Sequence, residues 1–212
     1  MSEWTEAALL ELRDRVCAKM SEYRFLHTCG VERTAAELAG LYCPEQASML
    51  RAAALLHDIT KEYTDEQQLS LIEGEGITLR PDERESSKIW HGITAPIVIA
   101  RDYPEFADES LLSAVRWHTT GHEGITLPEA LLYLADYIEP GRRFADCVAL
   151  RERFFGANPQ GMGGGERLEH LRAVLLHSLT LTLDELAREG RAACLDTQRA
   201  FEDLKNRSLC AF

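Results

Sequence analysis

Apolar residues recur every three or four positions through most of the chain, the period of helices that bury one face. Leu9, Leu12, Val16 and Met20 keep that spacing and predict a helix over 3–20. Leu26, Val31, Ala35, Leu38 and Tyr42 predict a second over 21–42. Pro44 suits a first helical turn, where its missing N–H is harmless, and the helix it opens runs through Leu50 and Ala54 to His57. Thr64 as N-cap, Gln67 at the capping-box position and a glycine stop bound a helix within 63–76. Three more are predicted over 94–102, 108–118 and 128–139, the first with Pro96 in its opening turn and the last with Pro128 just after Leu127. The stretch "FFGANPQGMGGGE", 154–166, reads as a glycine- and proline-rich loop. One amphipathic helix follows it, needing a surface for Leu168, Leu171, Leu175 and Leu179, and a last helix covers about 195–207. Strand-like alternation of useful length is absent, as is any internal repeat. The expectation is an all-α helical bundle forming one domain over 1–212, with a flexible insertion before the C-terminal helices.

Length and composition fit that expectation: 212 residues, 45% apolar and 27% charged, suffice for one sizeable core. A net charge of −12 argues against a protein that tracks a nucleic-acid backbone, since such binding needs Lys and Arg to neutralise phosphates. A small phosphorylated ligand needs only a few local cations and stays open. The cysteines, at 17, 29, 43, 147, 194 and 210, are widely spaced without a C-x-x-C pair and read as reduced thiols. The acidic, amphipathic start lacks a signal-peptide apolar region, and no apolar run reaches the length of a membrane span. A cytoplasmic protein without membrane or nucleic-acid partners is expected.

Polar residues that break the apolar pattern carry the chemistry. In "AALLHDITKEY" an Ala/Leu helix ends in His57 and Asp58. Adjacent helical residues point about 100° apart, so both line one cleft only near a helix end. His27, His91 and His118 also sit near predicted helix ends, and Asp136 interrupts the apolar helix "LLYLADYIEP". A lone histidine on an apolar helix is more often a hydrogen-bonded core residue than a ligand. A buried carboxylate, by contrast, demands a cation or several donors. His and Asp without Cys make a nitrogen–oxygen set suited to iron(II), manganese or another borderline divalent ion rather than to structural zinc.

The order His27, His57–Asp58, Asp136 resembles the signature of the HD-domain metal-dependent phosphohydrolases. More narrowly, "HDITKE", "HG" at 91–92, "WHTTG" at 117–121 and "YLADYIEPGR" at 133–142 resemble the bacterial YqeK-like branch, the symmetrical bis(5'-nucleosyl)-tetraphosphatases. The resemblance covers roughly residues 20–190. It implies an all-helical enzyme that splits diadenosine tetraphosphate into two ADP by attack of a metal-bound water. His27, His57, Asp58 and Asp136 are the implied metal ligands, with iron favoured, manganese or cobalt compatible, and one or two ions bound. His91 and His118 are implied either as ligands of a second ion or as phosphate contacts and general acid. Lys61 is a candidate to stabilise the transferred phosphoryl group, against its reading as a surface lysine. Arg142, Thr119 and Thr120 are candidate phosphate contacts. Arg116 and Arg143 are left outside the site, and a homodimer is compatible with the pattern. His170 and His177 are expected on the C-terminal helix in surface and packing roles respectively; His122 has no assigned role, and the 156–165 segment is an addition to the family pattern, expected near where the family would complete its substrate pocket. The alternatives are a nucleotidase or pyrophosphohydrolase for mononucleotides or alarmones, and a nucleotide sensor that lost turnover. The G-Y-P element of HD cyclic-dinucleotide phosphodiesterases is not seen.

Overall fold

The structure, a computed structural model, describes residues 4–207. Among them the chain is helical without a strand, as expected. Cys210 lies outside the described residues, and Cys17, Cys29, Cys43, Cys147 and Cys194 are free thiols. No helix among the described residues is long and apolar enough to cross a membrane.

Helix α1 (Glu6–Cys17) is capped by the Thr5 hydroxyl and buries Leu9, Leu12 and Val16. In α2 (Glu22–Tyr42), Ser21 caps the start, and Val31, Ala35 and Leu38 face the core. Leu26 departs from the predicted stripe: it is 63% exposed. Helix α3 (Ala47–Leu56) follows a single 3-10 turn at Pro44–Gln46 and buries Met49, Leu50 and every residue from Ala52 to Leu56. A helix that buries most of its circumference belongs at the centre of a fold. Here α1, α2, α7 and α8 pack around it. Helix α4 (Asp65–Gly74) carries the expected Thr64–Gln67 capping box, and the short α5 (Pro81–Arg84) leads into α6 (Trp90–Asp102). Pro96 therefore lies inside α6, and His91 falls in its first turn rather than ahead of it. The apolar period misplaces this start because Trp90 and Ile93 pack with Ile72 and Leu79 in a separate small cluster.

Helix α7 (Glu109–Trp117) ends at His118, and α8 (Leu127–Ile138) starts with a Thr126–Glu129 capping box and buries all but Asp136 and Tyr137 over 129–138. Helix α9 (Ala145–Gly156) has no counterpart in the sequence expectation; it contains Phe154, a core side chain first assigned to a loop. The expected flexible insertion shrinks to a tight connection. Asn158 takes a left-handed conformation (φ 53°), a 3-10 turn spans Pro159–Gly161, and α10 (Gly164–Arg188) begins inside the glycine run. Arg167 and Tyr42 tie this connection to the C-terminal end of α2. It thus lies roughly 20 Å from His27 by helical rise, far from the candidate site rather than beside a substrate pocket as expected, because it packs on the opposite end of α2. Helix α10 buries Leu171, Leu175 and Leu179 as expected, and α11 (Leu195–Asn206) packs against it. The expected roles of its two histidines are exchanged: His170 stacks on Phe154, 5.3 Å between centroids, whereas His177 meets Arg153 at an exposed contact.

Candidate metal centre

Five helix ends converge on one point. His27 comes from the second turn of α2, His91 from the first turn of α6, and Asp136 from the last turn of α8. His57 and His118 are the residues where α3 and α7 stop. After His57 the backbone tightens, with Lys61 N–H bonded to Asp58 O and Tyr63 N–H to Thr60 O, each across three residues. This winding lets the neighbours His57 and Asp58 face the same space. Gly92 brings α6 close to α7: a Cβ there would stand 3.0 Å from the Arg116 carbonyl oxygen.

The two oxygens of Asp58 sort the surrounding nitrogens into two sets. Oδ2 lies 3.4 Å from His57 Nε2 and 3.7 Å from His27 Nε2, which is itself 3.0 Å from Asp136 Oδ1. Oδ1 lies 3.4 Å from His91 Nε2 and 3.9 Å from His118 Nε2. Those two nitrogens are 3.1 Å apart, and Thr119 Oγ1 is 3.0 Å from each. The far nitrogens of three rings are engaged behind the site. Nδ1 of His57 bonds Ala54 O, Nδ1 of His118 bonds Val115 O, and Nδ1 of His27 meets Glu139 Oε1. With N–H directed outward to a carbonyl, the Nε2 lone pair turns inward, the arrangement in which imidazole binds a cation.

Two observations show that these residues fit a divalent ion. Nε2 of His27 and of His57 are buried without a hydrogen-bond partner, an unfavourable state that a cation removes. His27, His57 and Asp136, and separately His57, Asp58 and His118, each bring one donor atom within 4.8 Å of the others. The donors are nitrogen and oxygen only, as borderline divalent metals prefer.

Electrostatics agrees. Burial pushes Asp58 up, but the rings of His57 and His91 and the Lys61 ammonium outweigh it and hold the carboxyl well below the usual range. Asp136 is likewise opposed by burial and carried down by Arg142 and His27. Burial pushes His27 down, yet the carboxylates of Asp136 and Glu139 beside it prevail and raise it to about 9. Burial and the neighbouring His57 lower His118 to about 4, and burial with Lys61 lowers His91 well below 6.5. At neutral pH His91 and His118 are neutral imidazoles, suited to ligation and poor as proton donors.

Lys61 is half-buried, turned toward the cluster rather than freely solvated. Its Nζ lies 3.2 Å from His91 Nε2, and burial lowers its pKa. Arg142 does reach the site, where its Nη2 donates to Asp136 Oδ1 at 2.6 Å. Thr120 turns away, its hydroxyl donating to Gly121 O. His122 rests on Trp117 and bonds Glu129, outside the cluster. Arg116 bonds Glu83 and stays apart. Two residues of the cluster escape sequence reasoning. Arg24 donates to Asp58 Oδ2 at 2.6 Å, and its signal is an arginine three positions before His27 on the same helical face. Glu139 backs His27, and its signal is a carboxylate three positions after Asp136.

An all-helical bundle that gathers His, His–Asp and Asp at converging helix ends defines the class of helical metal-dependent phosphohydrolases. The HD domain family model matches residues 24–141, more than half the chain, and the protein belongs to that family. Two similar proteins carry the name symmetrical bis(5'-nucleosyl)-tetraphosphatase. The one from Bacillus subtilis (strain 168) is 35% identical over 138 residues, 64% of this chain and 73% of the relative. The one from Halalkalibacterium halodurans is 28% identical over 185 residues, 87% of this chain and 90% of the relative. A crystal structure of a predicted HD superfamily hydrolase involved in NAD metabolism, from Clostridium acetobutylicum, superposes with a TM-score of 0.79 at 29% identity. It covers 98% of this chain and 100% of its own, so α9–α11 have counterparts there although they lie beyond the family match.

Proposed function

We propose that the protein hydrolyses dinucleoside tetraphosphates symmetrically, diadenosine tetraphosphate yielding two ADP, and that the whole chain forms one catalytic domain. The observation that carries this reading is the Asp58 carboxylate set between two pairs of imidazoles, with the His27 and His57 nitrogens buried and unpartnered. Its class of reaction comes from the HD family, and its substrate from the name borne by the Bacillus and Halalkalibacterium relatives.

His27, His57, Asp58 and Asp136 would hold one ion. His91 and His118 with the second Asp58 oxygen would hold another, iron being favoured and manganese or cobalt compatible. Divalent ions bound there supply Lewis acidity, acidifying water and neutralising phosphoryl charge. The other tasks fall to the chain itself. Lys61, beside His91 and largely withdrawn from solvent, places a positive charge where the transferred phosphoryl group develops charge. Arg24 and Arg142, each bonded to a ligand carboxylate, stand at the cavity wall to receive phosphate oxygens. Thr119 Oγ1 lies between His91 and His118 and positions both rings.

Protein incubated anaerobically with iron(II), manganese or cobalt and diadenosine tetraphosphate should release ADP alone, as chromatography resolves. ATP with AMP would overturn the symmetrical cut. Absence of turnover with every metal, with nucleotide binding intact, would make the protein a sensor.

A further inference from the structure

Among the described residues five large apolar side chains stand exposed, and three of them surround one cavity. Tyr23 and Leu26, on the first turns of α2, are 76% and 63% exposed; Phe144, just before α9, is 66% exposed. With Arg24, Arg143 and His27 they line a cleft of about 590 Å³, a size that accepts a nucleoside. Folded proteins scatter exposed apolar residues singly, so three around one opening mark a surface kept for a ligand. Tyr23 and Leu26 are three apart on a helix and present one face.

Charge identifies the ligand more closely. The chain carries a net charge of −12, yet Arg24, Arg142 and Arg143 all border this cleft. Arg24 spends Nη1 on Asp58, while its Nε is buried without any hydrogen-bond partner. Arg143 is exposed, and no ion pair engages it among the described residues. Its one acidic border residue, Glu139, is turned to His27 and the Gly141 N–H. A ligand with a flat apolar end and an anionic chain meets both halves of this surface. Aromatic faces stack on any base, and arginines neutralise phosphate.

We propose that this cleft is a nucleoside subsite. The purine base of one half of the substrate packs on Phe144, Tyr23 and Leu26, and Arg143 with Arg24 engages the phosphates leading from it to the metal centre. The inference deepens the proposed function and rests on it, because a dinucleoside polyphosphate needs a base-binding surface beside the hydrolytic centre. Tyr23, Leu26 and Phe144 then set the preference for nucleotides over bare oligophosphates, and they touch no reacting atom.

The test compares the parent protein with Phe144→Ala, the Tyr23→Ala/Phe144→Ala double variant and Arg143→Ala. All three positions are exposed, and circular dichroism with metal content checks that each variant folds and loads. Equilibrium dialysis of ADP should show binding weakened about tenfold by Phe144→Ala and further in the double variant. Inorganic tripolyphosphate, which has no base, should bind these two variants as it binds the parent, while Arg143→Ala weakens both ligands. With diadenosine tetraphosphate the loss should appear mainly in KM. Parental ADP affinity in the double variant would overturn the subsite, as would an equal loss for tripolyphosphate. If the parent cuts diadenosine tetraphosphate and the double variant keeps its KM, the function stands and the subsite falls. If the parent does not cut it, the function falls, and ADP dialysis alone still decides the subsite.

Discussion

Glu139 Oε1 lies 3.1 Å from Nδ1 of His27, across 112 positions of sequence. Both side chains are buried, and the other carboxylate oxygen accepts the Gly141 N–H. A carboxylate behind a ligating imidazole fixes its ring and raises its basicity. Glu139→Ala should therefore weaken metal binding by about 10–100-fold while leaving the helical circular dichroism intact, and Glu139→Gln should restore part of the loss. Gly30→Ala reaches the same place from the other side, because a Cβ there would overlap Glu139 Oε2. Chelator competition on both variants measures the effect, and parental affinity in each would remove Glu139 from any positioning role.

Asp58 faces all four imidazoles through its two oxygens. Asp58→Ala should lose metal retention and hydrolysis together, read by elemental analysis and ADP release. Near-normal metal content in that variant would take Asp58 out of the ligand set.

Lys61 separates charge stabilisation from ligation. Lys61→Ala should keep its metal and lower turnover by about 10²-fold, the usual loss when one preorganised donor is removed. Kinetics equal to the parent's would return this lysine to a packing role beside His91.

Acidity should act on metal affinity. Without a bound ion, His27 keeps its proton up to about pH 9. A cation must displace that proton, so affinity rises with pH and falls about tenfold per unit as pH drops below that value. Calorimetry at pH 7 in buffers of different ionisation enthalpy should reveal proton release on binding. No dependence on the buffer would mean that His27 is already deprotonated.

Stability has a marker far from the centre. Glu32, 1% exposed on α2, is held by Arg13 and Arg51. Glu32→Ala takes from Arg13 its carboxylate and leaves Arg51 with Glu6 alone, and should cost about 2 kcal/mol, less than a fully buried pair because both arginines retain some solvent. Chemical denaturation measures the loss, and metal content should not change.

Local signals carried much of this architecture. Apolar period and caps located α1 to α4, α7, α8, α10 and α11 to within a few residues. The adjacency of His57 and Asp58 after the apolar run Ala52–Leu56 marked the site, because burying such residues without partners is costly. The period failed where a helix buries residues against something other than the main core. At α6, Trp90 and Ile93 pack in a satellite cluster. At α9, glycine and proline after Phe155 made a helix end resemble a long loop.

By itself, then, the sequence determined an all-helical chain and the His and Asp residues that are candidates to bind a divalent ion, since helical period and the rarity of buried carboxylates are local properties. The tertiary structure decided how those residues are shared. It set the two Asp58 oxygens toward different imidazole pairs, placed Arg24 on Asp58 and Glu139 behind His27, and drew Lys61 in from the surface. It also left Leu26 outside the core its spacing predicted, beside Tyr23 and Phe144. A helical repeat states which residues share a face, and only packing states what stands opposite that face.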